Sequence, residues 1–93
     1  MMQREYLPVG TVVLLKEASR PVVIIGYSVV EEGSQDVWDY LGCAYPVGVL
    51  SSDKNLLFQS NQIEKILFRG YCDQEGEKFL NLLKQDMEKV RHG

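Results

Sequence analysis

The sequence predicts an α+β fold, with four to five short antiparallel strands in a curled sheet or a small SH3-like barrel and a C-terminal amphipathic helix. Three observations predict it. Apolar, β-branched runs of strand length fill the first two thirds of the chain, turn residues separate them, and the last segment carries apolar residues at helical spacing. With 93 residues, the chain fits a single domain over 1–93 with one core.

The first two strands are predicted over 11–16 and 22–30. A turn signal at Leu7-Pro8-Val9-Gly10 precedes the first strand, and Pro21 opens the second, where proline is tolerated as the first residue of a strand. Both runs are apolar on both faces, so we expect each face to be covered, with a helix as one candidate cover.

The remaining strands are predicted over 37–45, 56–58 and 66–69. We expect the third strand to bend near Gly42, because a glycine inside a strand often marks a bulge or a close backbone approach. Asn61 and Glu64 form a capping pattern that predicts a single helical turn over 62–65.

The C-terminal helix is predicted over 74–92. Asp73 is placed to cap it, and Glu75 and Glu77 lie in its first turn, where the helix dipole favours acidic side chains. One apolar stripe should face the sheet or a partner, and its members are Phe79, Leu80, Leu83, Met87 and Val90.

Charge and hydropathy exclude several classes of protein. The net charge of -3 weighs against a nucleic-acid binder that relies on Lys and Arg to neutralise phosphates. The longest apolar stretches, 12–15 and 22–25, are far shorter than the roughly 20 residues that span a bilayer. The first residues carry no pattern of a secretory signal. We therefore expect a cytoplasmic protein without a membrane or nucleic-acid partner.

Titratable residues give little support for catalysis. The only histidine, His92, is the penultimate residue, where no third group is expected to orient it. The available carboxylate pairs are Asp36 with Asp39 and Glu31 with Glu32, which we interpret as solvated surface charges in or beside a polar loop.

Metal, cofactor and phosphate motifs are also missing from the sequence. Cys43 and Cys72 are widely separated, so we interpret them as buried thiols and not as a disulfide or metal site. No glycine-rich phosphate loop and no clustered Cys and His side chains are present. We expect no metal, no cofactor, no catalytic residues and no enzymatic activity.

The densest cluster of unusual residues runs from Trp38 to Pro46 and contains three large aromatic side chains. Its members either fill the core or form a recognition surface, since aromatic side chains dominate both small cores and binding hot spots. Together with the last strand, this cluster gives the candidate partner-binding residues Trp38, Tyr40, Tyr45, Pro46, Ile66 and Phe68.

Three segments carry a family resemblance: 7–16, 38–48 and 68–71. On these segments the chain resembles the domain of unknown function 4176 family, short proteins of Gram-positive bacteria. The strongest part is the Asp-Tyr-x-Gly-Cys-x-Tyr-Pro-x-Gly string from Asp39 to Gly48. One departure is the first hairpin, where relatives tend to carry glycines and this chain has Glu17-Ala18-Ser19-Arg20.

The resemblance implies a function. Members of the family are typically encoded beside LXG-domain toxins that type VII secretion systems export, which implies a cytosolic accessory protein or chaperone that binds such a toxin. The resemblance implies no catalytic residues.

Two other hypotheses stay open. A small barrel could bind nucleic acid or a regulatory peptide, for which Lys54, Lys65 and Arg69 are the candidate basic residues. An enzyme would need a buried carboxylate pair. Homo-oligomers through an edge strand or the helix stripe are also possible.

Overall fold

The computed structural model describes residues 6–30, 37–51 and 55–92, with side chains described for all of these except Val29 and residues 87–92. It contains β1 (Val12–Leu15), β2 (Val22–Val30), β3 (Val37–Ala44), β4 (Leu56–Phe58), a 3-10 turn (Ser60–Gln62), β5 (Ile63–Phe68) and α1 (Gln74–His92). Within these residues, no helix combines the length and the apolar character that crossing a bilayer requires.

The five strands form one antiparallel sheet in the order β4-β3-β2-β1-β5. In a flat sheet, four strand spacings would separate the two edge strands by about 19 Å. Only residues 59–62 join β4 to β5, and three of them form a 3-10 turn, which rises by only about 2 Å per residue. The sheet is therefore strongly curled but open. Of the two predicted forms, the curled sheet is confirmed and the closed barrel is not.

The connection into β5 differs from the prediction. The helical turn predicted over 62–65 is wrong, because the tight turn ends at Gln62 and β5 starts at Ile63. The backbone N–H of Gln59 donates to Oε1 of Gln62 at 2.8 Å, so the reciprocal cap uses these residues and not Asn61 and Glu64. Pairing of β5 with β1 begins at Ile63 and takes precedence over a local helical turn.

Gly42 lies beside an irregularity in the pairing of β2 with β3. The β2–β3 register shifts between Ile24, which pairs with Gly42, and Gly26, which pairs with Leu41. A Cβ atom on Gly42 would lie 2.5 Å from Cγ1 of Val22 and 2.9 Å from an aromatic carbon of Phe58. The close approach predicted at Gly42 is confirmed, and the irregularity belongs to the opposite strand, β2.

The first hairpin forms with a residue other than glycine in the left-handed region. Glu17 has a φ of 64°, in the left-handed region that favours glycine, and the N–H of Ala18 donates to the carbonyl of Leu15 at 3.2 Å. The turn therefore forms with glutamate at a position where glycine carries less strain.

The helix α1 covers the interior face of the sheet. The buried core consists of Tyr6, Leu7, Val13, Val22, Ile24, Tyr40, Phe58 and Leu80. Leu83 packs against this core, so this part of the predicted apolar stripe is confirmed, whereas Met87 and Val90 lie outside the described side chains. The N–H of Gly76 donates to Oδ1 of Asp73 at 2.9 Å, which confirms the predicted helix cap.

The outer face of the sheet is less covered than expected. Val12 of β1 pairs with Val23 of β2, and both side chains are only half-buried, while Val13 and Val22 are buried on the interior face. The expectation that both faces of these strands are covered therefore holds for one face within the described part of the chain.

Candidate protein-binding surface

Tyr40 is the centre of an aromatic cluster in the core. Its strand register places it opposite Tyr27 on one side and Phe58 on the other. Its ring stacks on Phe58 with centroids 5.3 Å apart and meets the rings of Tyr6 and Tyr27 at 5.5 and 5.8 Å. Tyr40 is 1% exposed, so its side chain belongs to the core and offers no area to a partner.

Hydrogen bonds fasten the N-terminal segment to this cluster. The backbone N–H of Leu7 donates to the hydroxyl of Tyr40 at 2.9 Å, and the hydroxyl of Tyr27 donates to the carbonyl of Leu7. Phe79 of α1 closes the cluster with its ring centroid 5.7 Å from that of Tyr27. Sequence analysis did not single out Tyr6, which precedes the first strand, or Tyr27, which lies within β2, since a lone tyrosine gives no periodic signal.

Asp39 is buried, which corrects its interpretation as a solvated surface charge. It is 4% exposed, the hydroxyl of Tyr6 donates to its Oδ1 at 3.0 Å, and the N–H of Ser60 donates to its Oδ2 at 2.7 Å. Buried carboxylates persist when donors satisfy their oxygens, and this one joins three separate segments of the chain. The other carboxylates of the two pairs, Glu31, Glu32 and Asp36, lie outside the described residues.

The dependence of stability on alkaline pH tests whether Tyr27 and Tyr40 are shielded from solvent. Desolvation by burial, with smaller contributions from Tyr40 and Cys72, raises the pKa of Tyr27 to about 12, and burial also raises the pKa of Tyr40. Unfolded tyrosine ionises near pH 10, so the folded state keeps protons that the unfolded state loses. We expect full stability below about pH 10 and a decline as the pH rises through about 12.

The measurement is the urea midpoint as a function of pH, together with a spectroscopic titration of tyrosinate. The variant Tyr27→Phe should show a smaller alkaline decline of the midpoint than the parent. An equal decline in the two proteins would contradict the role given to Tyr27.

Trp38 lies between core and surface. Its side chain is half-buried, and its indole N–H is buried without an acceptor among the described residues.

The two cysteines differ in burial. Cys43 is a buried free thiol, as predicted, and Cys72 is a half-buried free thiol.

The segment after β3, which we name the 45–50 turn, exposes a run of apolar side chains. More than half of the surface of each of four of them is open, at Tyr45, Val47, Val49 and Leu50, and Pro46 is exposed as well. The backbone is nevertheless held in place, since the N–H of Tyr45 donates to the carbonyl of Pro21 at 3.2 Å and that of Gly48 to Ala44 at 2.8 Å. The turn therefore presents apolar side chains outward from a hydrogen-bonded backbone.

A second exposed apolar surface, which we name the β5 edge, consists of Ile66, Leu67 and Phe68. These side chains are 47%, 44% and 63% exposed. β5 pairs with β1 alone and ends the sheet, so within the described chain no strand pairs with its outer side. The β5 edge combines exposed apolar side chains with unpaired backbone groups.

The two surfaces lie at the same level of the sheet. Ile66 pairs with Val13, Val13 with Val22, and Val22 with Ala44, the residue before the 45–50 turn. Three strand spacings, roughly 14 Å in a flat sheet, separate Ile66 from Ala44, and the curl shortens that separation.

The six candidate residues of the sequence therefore divide by location. Tyr45 and Pro46 lie on one exposed surface, Ile66 and Phe68 on the other, and Trp38 and Tyr40 on neither. Sequence analysis missed Val47, Val49 and Leu50. A nearly continuous apolar run after a strand end, 45–50, is a signal that could have found them.

A polar cleft adjoins the β5 edge. It has a volume of about 210 Å³ and is lined by Tyr6, Arg69, Glu77, Leu80, Asn81 and Lys84. Of the basic residues considered for nucleic acid, Arg69 lines this cleft, Lys65 is exposed on β5, and Lys54 lies outside the described residues. Among the residues with described positions, no group of three or more His, Cys, Asp and Glu could hold a metal ion.

These features define the class of the protein: a small α+β protein with an open, curled antiparallel sheet and one C-terminal helix. The chain belongs to the domain of unknown function DUF4176 family, whose model matches residues 6–79. Neither the curated proteins nor the solved structures contain a significant match to the chain.

Proposed function

We propose that the protein is a cytoplasmic accessory or targeting protein that binds an LXG-type toxin, acts as its chaperone, and supports its export by a type VII secretion system without catalysing a reaction. The observation that carries this proposal is the pair of exposed apolar surfaces, the β5 edge and the 45–50 turn. The chain belongs to the DUF4176 family. The resemblance to this family implies an association with LXG toxins, and this supports the toxin as partner.

Burial of these apolar surfaces in a complex would contribute to the free energy of binding. Full burial of a Leu, Ile or Phe side chain contributes about 1.5–3 kcal/mol, and the side chains of the β5 edge are about half exposed. Single exposed apolar residues are ordinary, but contiguous patches on a small protein mark interaction sites. Two such patches at one level of the sheet favour a protein partner that contacts both.

Co-purification with the LXG toxin encoded nearby tests the proposal. We expect a complex at micromolar concentration that Phe68→Glu weakens by roughly 30-fold or more, the loss typical of a hot-spot residue of about 2 kcal/mol. The matched control is Leu82→Glu, which puts the same charge on α1 at a side chain that is 59% exposed. The control should bind as the parent does.

Two results would count against the proposal. One is no complex between the folded parent protein and the toxin at micromolar concentration. The other is equal loss of binding in both variants, which would show that added negative charge, and not loss of the β5 edge, weakens the complex.

A further inference from the structure

The β5 edge exposes apolar side chains on both faces of the sheet. Residues that pair directly across antiparallel strands share a face, and successive residues of β1 face opposite ways. Ile66 pairs with Val13 on the interior face, whereas Phe68 pairs with Val12 on the outer face. These two residues of β5 face opposite ways because the register of β5 against β1 shifts between the two pairs. A helix docked on one face would cover one of these side chains and leave the other in water.

An extended segment fits this edge better than a helix. A strand added in the plane of the sheet pairs with the free backbone groups of β5, and its alternating side chains reach both faces. Such a strand would contact Ile66 and Phe68 together. Unpaired strand edges accept added strands readily, and proteins commonly guard them with charges. Here Glu64 and Lys65 occupy the first half of β5, whereas the second half contains the register shift against β1 and carries no charged side chain.

Charge complementarity at the end of β5 specifies the segment further. Arg69 follows Phe68 directly and lines the polar cleft with Lys84 and the amide of Asn81, against a single acidic side chain, Glu77. The backbone beside Arg69 is fixed, because the N–H of Gly70 donates to the buried Oγ1 of Thr11 at 3.0 Å. Arginine binds carboxylates through paired hydrogen bonds, so the cleft suits an acidic side chain.

We propose, resting on the proposed function, that the β5 edge binds an extended segment of the toxin as an added sixth strand. This segment carries apolar side chains on both of its faces and an acidic residue at the end that lies beside Arg69 and Lys84. The backbone pairing supplies affinity, and the acidic residue supplies selectivity and register.

The test uses short synthetic peptides that tile the LXG toxin, together with the whole toxin. We expect the protein to bind a peptide with this pattern. Methylation of alternate backbone nitrogens of the peptide should abolish the binding. Arg69→Glu should weaken binding of the acidic peptide at least about 10-fold, a change of about 1.4 kcal/mol. It should not weaken binding of the same peptide with Gln in place of its acidic residue. Lys78→Glu, the same charge change at an exposed site of α1, is the control.

The outcomes separate this inference from the proposed function. If the whole toxin binds but no peptide does, or if methylation leaves peptide binding unchanged, strand addition is wrong and the proposed function stands. If sedimentation shows a dimer that Phe68→Glu dissociates, a second copy occupies the edge and the inference fails. If the toxin itself does not bind, the proposed function fails first.

Discussion

Replacing Tyr40 with alanine will lower the free energy of unfolding by about 3–5 kcal/mol, the usual cost of truncating a buried aromatic side chain. The ring is 1% exposed and contacts three other aromatic rings, those of Tyr6, Tyr27 and Phe58. Its hydroxyl also accepts the N–H of Leu7, which the variant leaves buried without that acceptor. Urea denaturation measures the loss.

Two matched variants divide this effect. Tyr40→Phe keeps the ring contacts and removes the hydroxyl that accepts from Leu7, so we expect a cost of about 1–3 kcal/mol. Tyr71→Ala truncates a tyrosine that is 82% exposed and should change stability by no more than about 0.5 kcal/mol. Similar losses at Tyr40 and Tyr71 would contradict the central place given to the aromatic cluster. If Tyr40→Ala does not fold, Tyr40→Phe still measures the contribution of the Tyr40 hydroxyl to the free energy of unfolding.

Gly70→Ala will have the second large effect, a loss of about 3 kcal/mol, at the upper end of the usual cost of overpacking. An added Cβ would lie 2.5 Å from the carbonyl oxygen of Val9 and 2.9 Å from the backbone nitrogen of Thr11. These are backbone atoms of a turn that is hydrogen-bonded to β2, so they cannot rotate away as a side chain can. A backbone shift that relieved this clash would lengthen the hydrogen bond from the N–H of Gly70 to Oγ1 of Thr11.

The control for Gly70 is Gly26→Ala. Its added Cβ would meet only the side chain of Leu41, at 3.5 Å, which is an ordinary contact. Thermal denaturation of the two variants should show a large decrease in Tm for Gly70→Ala and little change for Gly26→Ala. Equal decreases would mean that loss of glycine itself, and not the contact with the 9–11 backbone, destabilises the protein.

Much of the fold could be predicted from the sequence because local signals agree with the tertiary structure. Apolar runs and flanking turn residues located β2 and β4 to the residue, and the Asp73 cap located the start of α1. The start of β5 could not be predicted, since the capping pattern at Asn61 competes with it locally and only pairing with β1 decides the outcome. The choice between barrel and open sheet likewise depends on edge geometry that no local pattern encodes.

The candidate site was predictable only in part. Exposure separates Tyr45 and Phe68 from Tyr40. It depends on position in the fold, since Tyr45 lies in the turn after β3 and Phe68 on an edge strand, whereas Tyr40 lies on a central strand in the core. The burial of Asp39 depends on donors from Tyr6 and Ser60, which are distant in sequence. Apolar character alone therefore identified the right segments but could not assign each residue to core or surface.

The family string from Asp39 to Gly48 has a mostly buried first half and a mostly exposed second half. Asp39, Tyr40, Gly42 and Cys43 are buried, whereas Tyr45 and Pro46 are exposed on the 45–50 turn. Substitutions in the first half should therefore act through stability. Those in the second half should act on binding.

The heat-capacity change on binding the LXG toxin that we propose as partner, measured by titration calorimetry at several temperatures, tests most directly whether the protein acts by burying apolar surface. Burial of apolar surface gives a negative heat-capacity change. We predict a negative value for the parent protein and a less negative value for Phe68→Ser, with Leu82→Ser matching the parent. A complex whose heat-capacity change is near zero, or is unaltered by Phe68→Ser, would contradict the proposed mode of action.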